Sequence, residues 1–280
     1  MSSLQQIKQR IKTSNATVKI TKVMQMVSTS KLQKMKSIVA NSKVYKDGVF
    51  DILSNLLYKN DVDSIFNKQN KKHAIIITIS SDKGLCGILN NGLCKQTIEH
   101  TKLLQHQGYS IFMKHIGKKA NSTFYHKIKD SSIKQDYIDD FYTQGRINFA
   151  NLDKLITDLI ANYEGEVFIA FNSFKSVMVT EFNFLNIKDL IEQKDGLYKI
   201  DCDVKEAVKF AEYQALYAIL CYAINNNIIC EHSLRMQAMD SATRNTEKII
   251  DQLTTHYNKT RQAGITNALI DVVSGSQQQN

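Results

Sequence analysis

Val18-Lys19-Ile20-Thr21-Lys22-Val23-Met24-Gln25-Met26-Val27 decides how this chain reads. At ~100° per residue its apolar groups cover more than half of a helix circumference, wider than the stripe one neighbouring helix can bury. Either the band lies inside its own protein or other chains surround it, and the basicity of the same segment argues against the first. Outward from it, Ile7, Ile11, Val18, Leu32, Met35 and Val39 alternate three and four apart once Ser14, Thr21, Gln25 and Ser28 fill the gaps. That is a coiled-coil seam, and a thin one, because four of its ten positions are small or polar. The spacing predicts one helix over 1–58, on the order of 85 Å long at ~1.5 Å per residue.

A second helical pattern runs from 204 to 275. Ala211, Ala215, Ala218 and Tyr222 mark one face, then Met239, Thr243, Thr246, Ile250, Leu253, Tyr257, Thr260 and Gly264 continue the three/four spacing. Asn225-Asn226-Asn227 dents this helix but need not end it. Two thin seams at the two ends of a chain bury best against each other, as an antiparallel pair.

Between them the period changes. His73–Ser80 reads as a strand ending in the turn Ser81-Asp82-Lys83-Gly84, followed by a helical stretch to about Gln107, which Gly108 stops. Tyr109–Ile116 is a second strand, Asn151–Tyr163 an amphipathic helix, Glu166–Asn172 a third strand and Val177–Leu185 an antiparallel fourth. Residues 117–150 carry a weak signal, read as a short helix plus a loop. The fold expected is α+α/β: a long antiparallel coiled coil of the N- and C-terminal helices (1–58 and 204–275) with an inserted small α/β, Rossmann-like domain (72–203) and a largely parallel sheet.

Composition agrees. Hydrophobic residues are 43% and charged residues 22% of 280, ordinary for a folded chain. There is no proline, where average usage of ~5% would give about 14, and a chain built on long helices has few places for one. The longest apolar run, Ala215–Ile224, is ten residues, about half of what a bilayer crossing needs. The net charge of +9 sits at one end: residues 1–59 hold eleven Lys and Arg against Asp47 and Asp51, while 60–204 and 205–280 each balance. Such a field attracts an acidic partner, whether nucleic acid, an anionic membrane surface or acidic loops on a protein.

No catalytic framework emerges. Gly87–Cys94 copies the glycine spacing of a phosphate-binding loop, but Leu93 stands where the lysine should be and Cys94 where the Ser/Thr should be. Gly84 and Gly87 are read as turn glycines. The seven His show no metal-ligand spacing with a Cys, so no metal site is expected. The five cysteines are scattered; Cys86 reads as a buried thiol rather than a nucleophile. Asp139-Asp140, Glu164 and Glu166 read as solvated loop acids.

The ends and the first strand-turn carry a resemblance. Ile7–Ile11 with Lys19–Lys31, the turn Ser80-Ser81-Asp82-Lys83-Gly84-Leu85-Cys86-Gly87-Ile88-Leu89-Asn90, and the stretches Arg235–Asn245, Tyr257–Thr266 and Val273–Gly275 resemble the gamma subunits of F-type ATP synthases. The resemblance implies a non-catalytic rotor: an antiparallel helix pair inside a ring of alpha and beta subunits, with the α/β domain against the epsilon subunit and the membrane ring of c subunits. It implies no cofactor and no metal. Subunit contacts carry over to Lys22, Met24, Arg235, Arg261, Gln262 and Thr266. The family often has an acidic residue two positions after that threonine, where this chain has Ala268. The regulatory cysteine insertion of the chloroplast type is missing. The N-terminus shows no leader, which points to a bacterial chain lying peripherally on the cytoplasmic face of the inner membrane, with no segment inserted in it. The alternative is a basic coiled-coil nucleic-acid-binding or adaptor protein gripping through residues 1–46; against it, no aromatic residue precedes Tyr45 and the apolar band would stay exposed.

Overall fold

The computed structural model describes residues 2–59, 64–66, 72–125, 127–128, 133–138, 141–143, 146–162, 165–191 and 203–277. Both terminal helices form as the spacing predicts: α1 is Ser2–Lys59 and α5 is Val204–Gln277. The chain divides into two compact units, Met1–Ser28 with Met236–Asn280, and Thr29–Arg235.

In the first unit α1 and α5 run antiparallel, since Thr21 faces Thr243 and Gln25 faces Asp240. The seam is the expected one. Ile7, Thr21, Ser28, Met239 and Thr243 are buried, and Ile11, Ser14, Val18, Thr246, Ile250, Leu253, Tyr257 and Thr260 half-buried. The Thr21 and Thr243 hydroxyls meet at 2.7 Å inside it. Gly264 departs from the expected seam: it is exposed, as is every residue from Arg261 to Ser274. Both helices rise equally per residue, so with Thr21 level with Thr243, Ser2, the first described residue of α1, lies level with Gln262.

The second unit is built on a five-stranded sheet of order β3-β2-β1-β6-β7. Its strands are β1 His73–Ile79, β2 Ser110–Ile116, β3 Lys134–Ile138, β6 Glu166–Phe174 and β7 Thr180–Asn186, parallel except for β6 with β7. Its helices are α2 Leu89–His106, α3 Lys118–Phe124 and α4 Phe149–Asn162, with a 3-10 turn at Ile187–Leu190. Tyr142–Thr143 (β4) and Arg146–Ile147 (β5) make a separate small antiparallel pair.

β1 reads as one apolar run because both of its faces are covered. Ile75, Ile77 and Ile79 pack with Phe50, Leu53 and Leu56 of α1, with α4, and with Val208–Ile224 of α5. Ala74 and Ile76 point the other way, into Leu93, Cys94 and Leu104 of α2 and Phe124 of α3. β3 is the element that the pattern missed. Lys134-Gln135-Asp136-Tyr137-Ile138 is an edge strand with few apolar groups, and pairing with β2 is what makes it a strand. α5 passes Asn225-Asn226-Asn227 unbroken, because Asn226 accepts from the Phe174 N–H at 3.3 Å and Asn227 accepts from Asn172 at 3.3 Å.

Candidate functional site

Two surfaces carry the residues singled out above. On the first unit, Ile20, Val23, Met26 and Val27 are 50–68% exposed, so the apolar band is not covered by its own helix pair. Met24 is half-buried. Lys22 reaches Glu247 of α5 at 2.8 Å, with both side chains about half exposed. A pair in that setting contributes only about 0–1 kcal/mol. Lys8, Lys12, Asn15 and Lys19 line an open trough on the same helix. Arg261, Gln262, Thr266 and Ala268 all lie on the uncovered end of α5, beside an apolar stripe of Ile265, Leu269, Val272 and Val273. That spacing keeps the stripe on one face of the helix.

Arg235 behaves differently from the other five residues. It is 6% exposed, and its guanidinium is taken up within the second unit. Nε and Nη2 donate to the Gly84 carbonyl at 3.2 and 3.0 Å, and Nη2 also to the Lys83 carbonyl at 3.1 Å and to Glu231 at 2.6 Å. Burial pushes the Glu231 carboxyl up, while the Arg235 charge pulls it back. His232, next in line, is held down to about 4 by burial and then by the Arg235 charge.

The turn that Arg235 grips is unusual in its backbone. Leu85 is the one non-glycine residue at positive φ (62°) among those described, followed by Gly87 at 59°. Leucine pays for that conformation sterically. Gly84, read from the sequence as a turn glycine, has no such φ; its role is to offer its carbonyl to Arg235. Ser81 and Asn90 close the turn from inside, with Asn90 Nδ2 donating to Ser81 Oγ at 2.8 Å and to Cys86 Sγ at 3.5 Å.

The loop with phosphate-loop spacing enters α2 with Leu93 and Cys94 fully buried, so those two side chains pack in the core. Cys86 is buried as expected, and burial raises the thiols of Cys94 and Cys221 to about 11 and of Cys230 to about 12. Thiols held so high are protonated near neutrality and are poor nucleophiles. His115 is 1% exposed and burial lowers it to about 4, with Thr78 Oγ1 at 2.6 Å and Gln135 Oε1 at 3.2 Å. No group of three or more His, Cys, Asp or Glu suited to a metal occurs among the described residues. Glu166 departs from the solvated reading: its carboxylate accepts from Tyr109, just before β2, at 2.9 Å and from Asn186 of β7 at 2.8 Å. Asp139, Asp140, Glu164 and Cys202 lie outside the described residues. Among the described residues no helix is long and apolar enough to cross a membrane.

A thin helix pair with an uncovered apolar and basic surface, joined in sequence to a doubly wound sheet, defines a scaffold whose business is contact with other chains. Comparison with known proteins makes this specific. A family model described as ATP synthase matches residues 3–278. The ATP synthase gamma chain of Rickettsia typhi is 32% identical over 292 residues, covering 99% of both chains. That of Geotalea uraniireducens is 32% identical over 294 residues, with the same coverage. The chain therefore belongs to the ATP synthase family, as a gamma chain. Among solved structures, the Euglena gracilis mitochondrial ATP synthase rotor aligns at a TM-score of 0.64 with 16% identity, over 94% of this chain and 99% of that one. The OSCP/F1/c-ring assembly of the same organism gives 0.67 at 15% identity, over 99% of this chain and 94% of that one. At those identities the likeness is one of fold.

Proposed function

We propose that the chain is the non-catalytic central-stalk rotor of a proton-translocating F-type ATP synthase. Its partners are the ring of alpha and beta subunits, the epsilon subunit and the membrane ring of c subunits, and it works peripherally at the cytoplasmic face of a bacterial inner membrane. The observation that carries this reading is the apolar band Ile20, Val23, Met26 and Val27, left open on a helix that holds no acid before Asp47. A monomer gains nothing by exposing such a band. A sleeve of foreign subunits would cover it, with acidic loops meeting the lysines.

In that setting the helix pair is an asymmetric ligand, presenting a different side to each beta subunit. Each orientation favours an open or a closed nucleotide site through differential contact energy. Taking a site from 1:99 to 99:1 needs about 5.5 kcal/mol of such bias. Lys22, Met24, Arg261, Gln262 and Thr266 form the contact set. Arg235 belongs to the set by its place in the sequence, and its guanidinium, occupied by Lys83 and Gly84, serves from inside. Ala268 brings no carboxylate to the ring.

The test is purification from membranes. The chain is expected to leave with alpha and beta subunits, and alone to hydrolyse no ATP. Recovery free of both subunits overturns the reading. Tight, salt-sensitive binding of the isolated chain to DNA or RNA at physiological ionic strength would favour the nucleic-acid alternative instead.

A further inference from the structure

Between residues 226 and 235 the face of α5 turned to the sheet changes character. From Val208 to Ile224 it packs by apolar contact. Beyond that it meets the carboxyl ends of β1 and β6 through polar groups. Asn226 accepts from the Phe174 N–H and Asn227 from Asn172. Cys230 Sγ donates to the Asn172 carbonyl at 3.5 Å and Ser233 Oγ to the Val177 carbonyl at 2.6 Å. Arg235 completes the row on the Lys83 and Gly84 carbonyls, its Nη2 also donating to Glu231 at 2.6 Å while Nη1 lies 3.4 Å from His232 Nδ1. Ser233 is fully buried.

Resting on the rotor reading, we propose that this row is a latch: Arg235 and Ser233 are positioning residues that tie α5 to the β1–α2 and β6–β7 turns, so that turning force passes between helix and sheet through them. Apolar packing is non-directional, and a helix can shift over it by changing rotamers. Hydrogen bonds to backbone carbonyls are directional and resist rotation of α5 about its own axis. A guanidinium reaches two carbonyls and a carboxylate from one fixed plane, which an ammonium cannot do. The left-handed Leu85, one residue past the gripped carbonyls, is backbone that persists because its surroundings hold it there.

Cys86 reports on the latch directly. Its sulfur is buried inside the gripped turn, whereas the buried Cys94 of α2 and the half-buried Cys221 lie outside the row and serve as internal references. Peptide-resolved alkylation of the full-length chain with iodoacetamide should run about tenfold faster at Cys86 in Arg235→Gln, the factor expected when a charge-assisted hydrogen bond no longer opposes local opening. The two reference thiols should keep their rates, and Arg235→Lys should fall between. An unchanged Cys86 rate overturns the proposal, as does equal acceleration of Cys86, Cys94 and Cys221, which marks a general loosening. If Arg235→Gln does not fold, Arg235→Lys decides by the same criteria.

In membrane vesicles carrying the assembled complex, Arg235→Gln and Ser233→Ala should each lower protons pumped per ATP hydrolysed, whatever the absolute rate. A ratio equal to the wild type in both also overturns it. Failure of the rotor reading is distinguishable: the chain would not co-purify with alpha and beta, while the Cys86 rates would still report on the grip itself.

Discussion

The two units of the molecule bury their residues on opposite terms. In the sheet-bearing unit, large side chains such as Phe124, Phe171, Leu53 and Met113 are closed off completely. In the helix-pair unit, among the described residues, only Ile7, Thr21, Ser28, Met239 and Thr243 fall into the buried class, and three of these five are hydroxyl residues. One unit carries its own core; the other keeps its apolar groups outside. The contrast separates what the chain needs to fold from what it holds out to partners.

The largest expected effect probes that contrast head-on. Phe124→Ala should cost about 3–5 kcal/mol in denaturant unfolding, whereas Ile7→Ala should cost about 1–2 kcal/mol because its cavity opens to water near a helix end. Equal losses would break the comparison. Next comes pH. His115 is neutral in the fold with its pKa lowered to about 4, while an unfolded histidine titrates near ~6.5. The unfolded state therefore binds the extra proton first, and stability falls as pH drops from about 6.5 towards 4, by up to about 3 kcal/mol from this residue. Melting scans across that window should show the decline, and His115→Gln should lessen it, leaving the part due to His232, which burial also holds near 4.

A smaller effect sharpens the picture of the thin seam. Thr21 and Thr243 also hydrogen-bond their own helices, at Val18 and Met239, so Thr21→Val and Thr243→Val should each cost about 1 kcal/mol and the double variant no more than one of them. Strict additivity would mean that the 2.7 Å contact contributes nothing. Met24→Lys should change stability least, within about 0.5 kcal/mol, since Met24 lies on the partly open face. On the proposed reading its effect belongs to the complex: a further cation should form a stray ion pair with acidic loops of the ring, so ATP hydrolysis should persist while proton pumping falls. Equal loss of both, or of neither, would remove Met24 from the contact set.

Much of this was legible in the residues themselves. The seam from Ile7 to Val39, the helix stop at Gly108, the burial of Cys86 and the antiparallel return of Thr180–Asn186 all follow from local spacing or turn chemistry. The misses share a cause. β3 has too little apolar contrast to announce itself, and Gly264 lies past Gln262, the α5 position level with the first described residue of α1. Arg235 is read through the resemblance as a subunit contact, yet nothing within several positions of it reveals that its partners are the Lys83 and Gly84 carbonyls.

Sequence alone determined the two long helices, their small-residue seams, the one-ended charge and the parallel strands between them, because periodicity and charge are written residue by residue along a chain. Only the tertiary structure decided which apolar groups stay open, where α5 outlives its partner, and that Leu85 sits left-handed under a buried arginine. Those outcomes depend on which backbone groups meet across more than a hundred residues of chain, and a hydrogen bond between distant segments leaves no period to read.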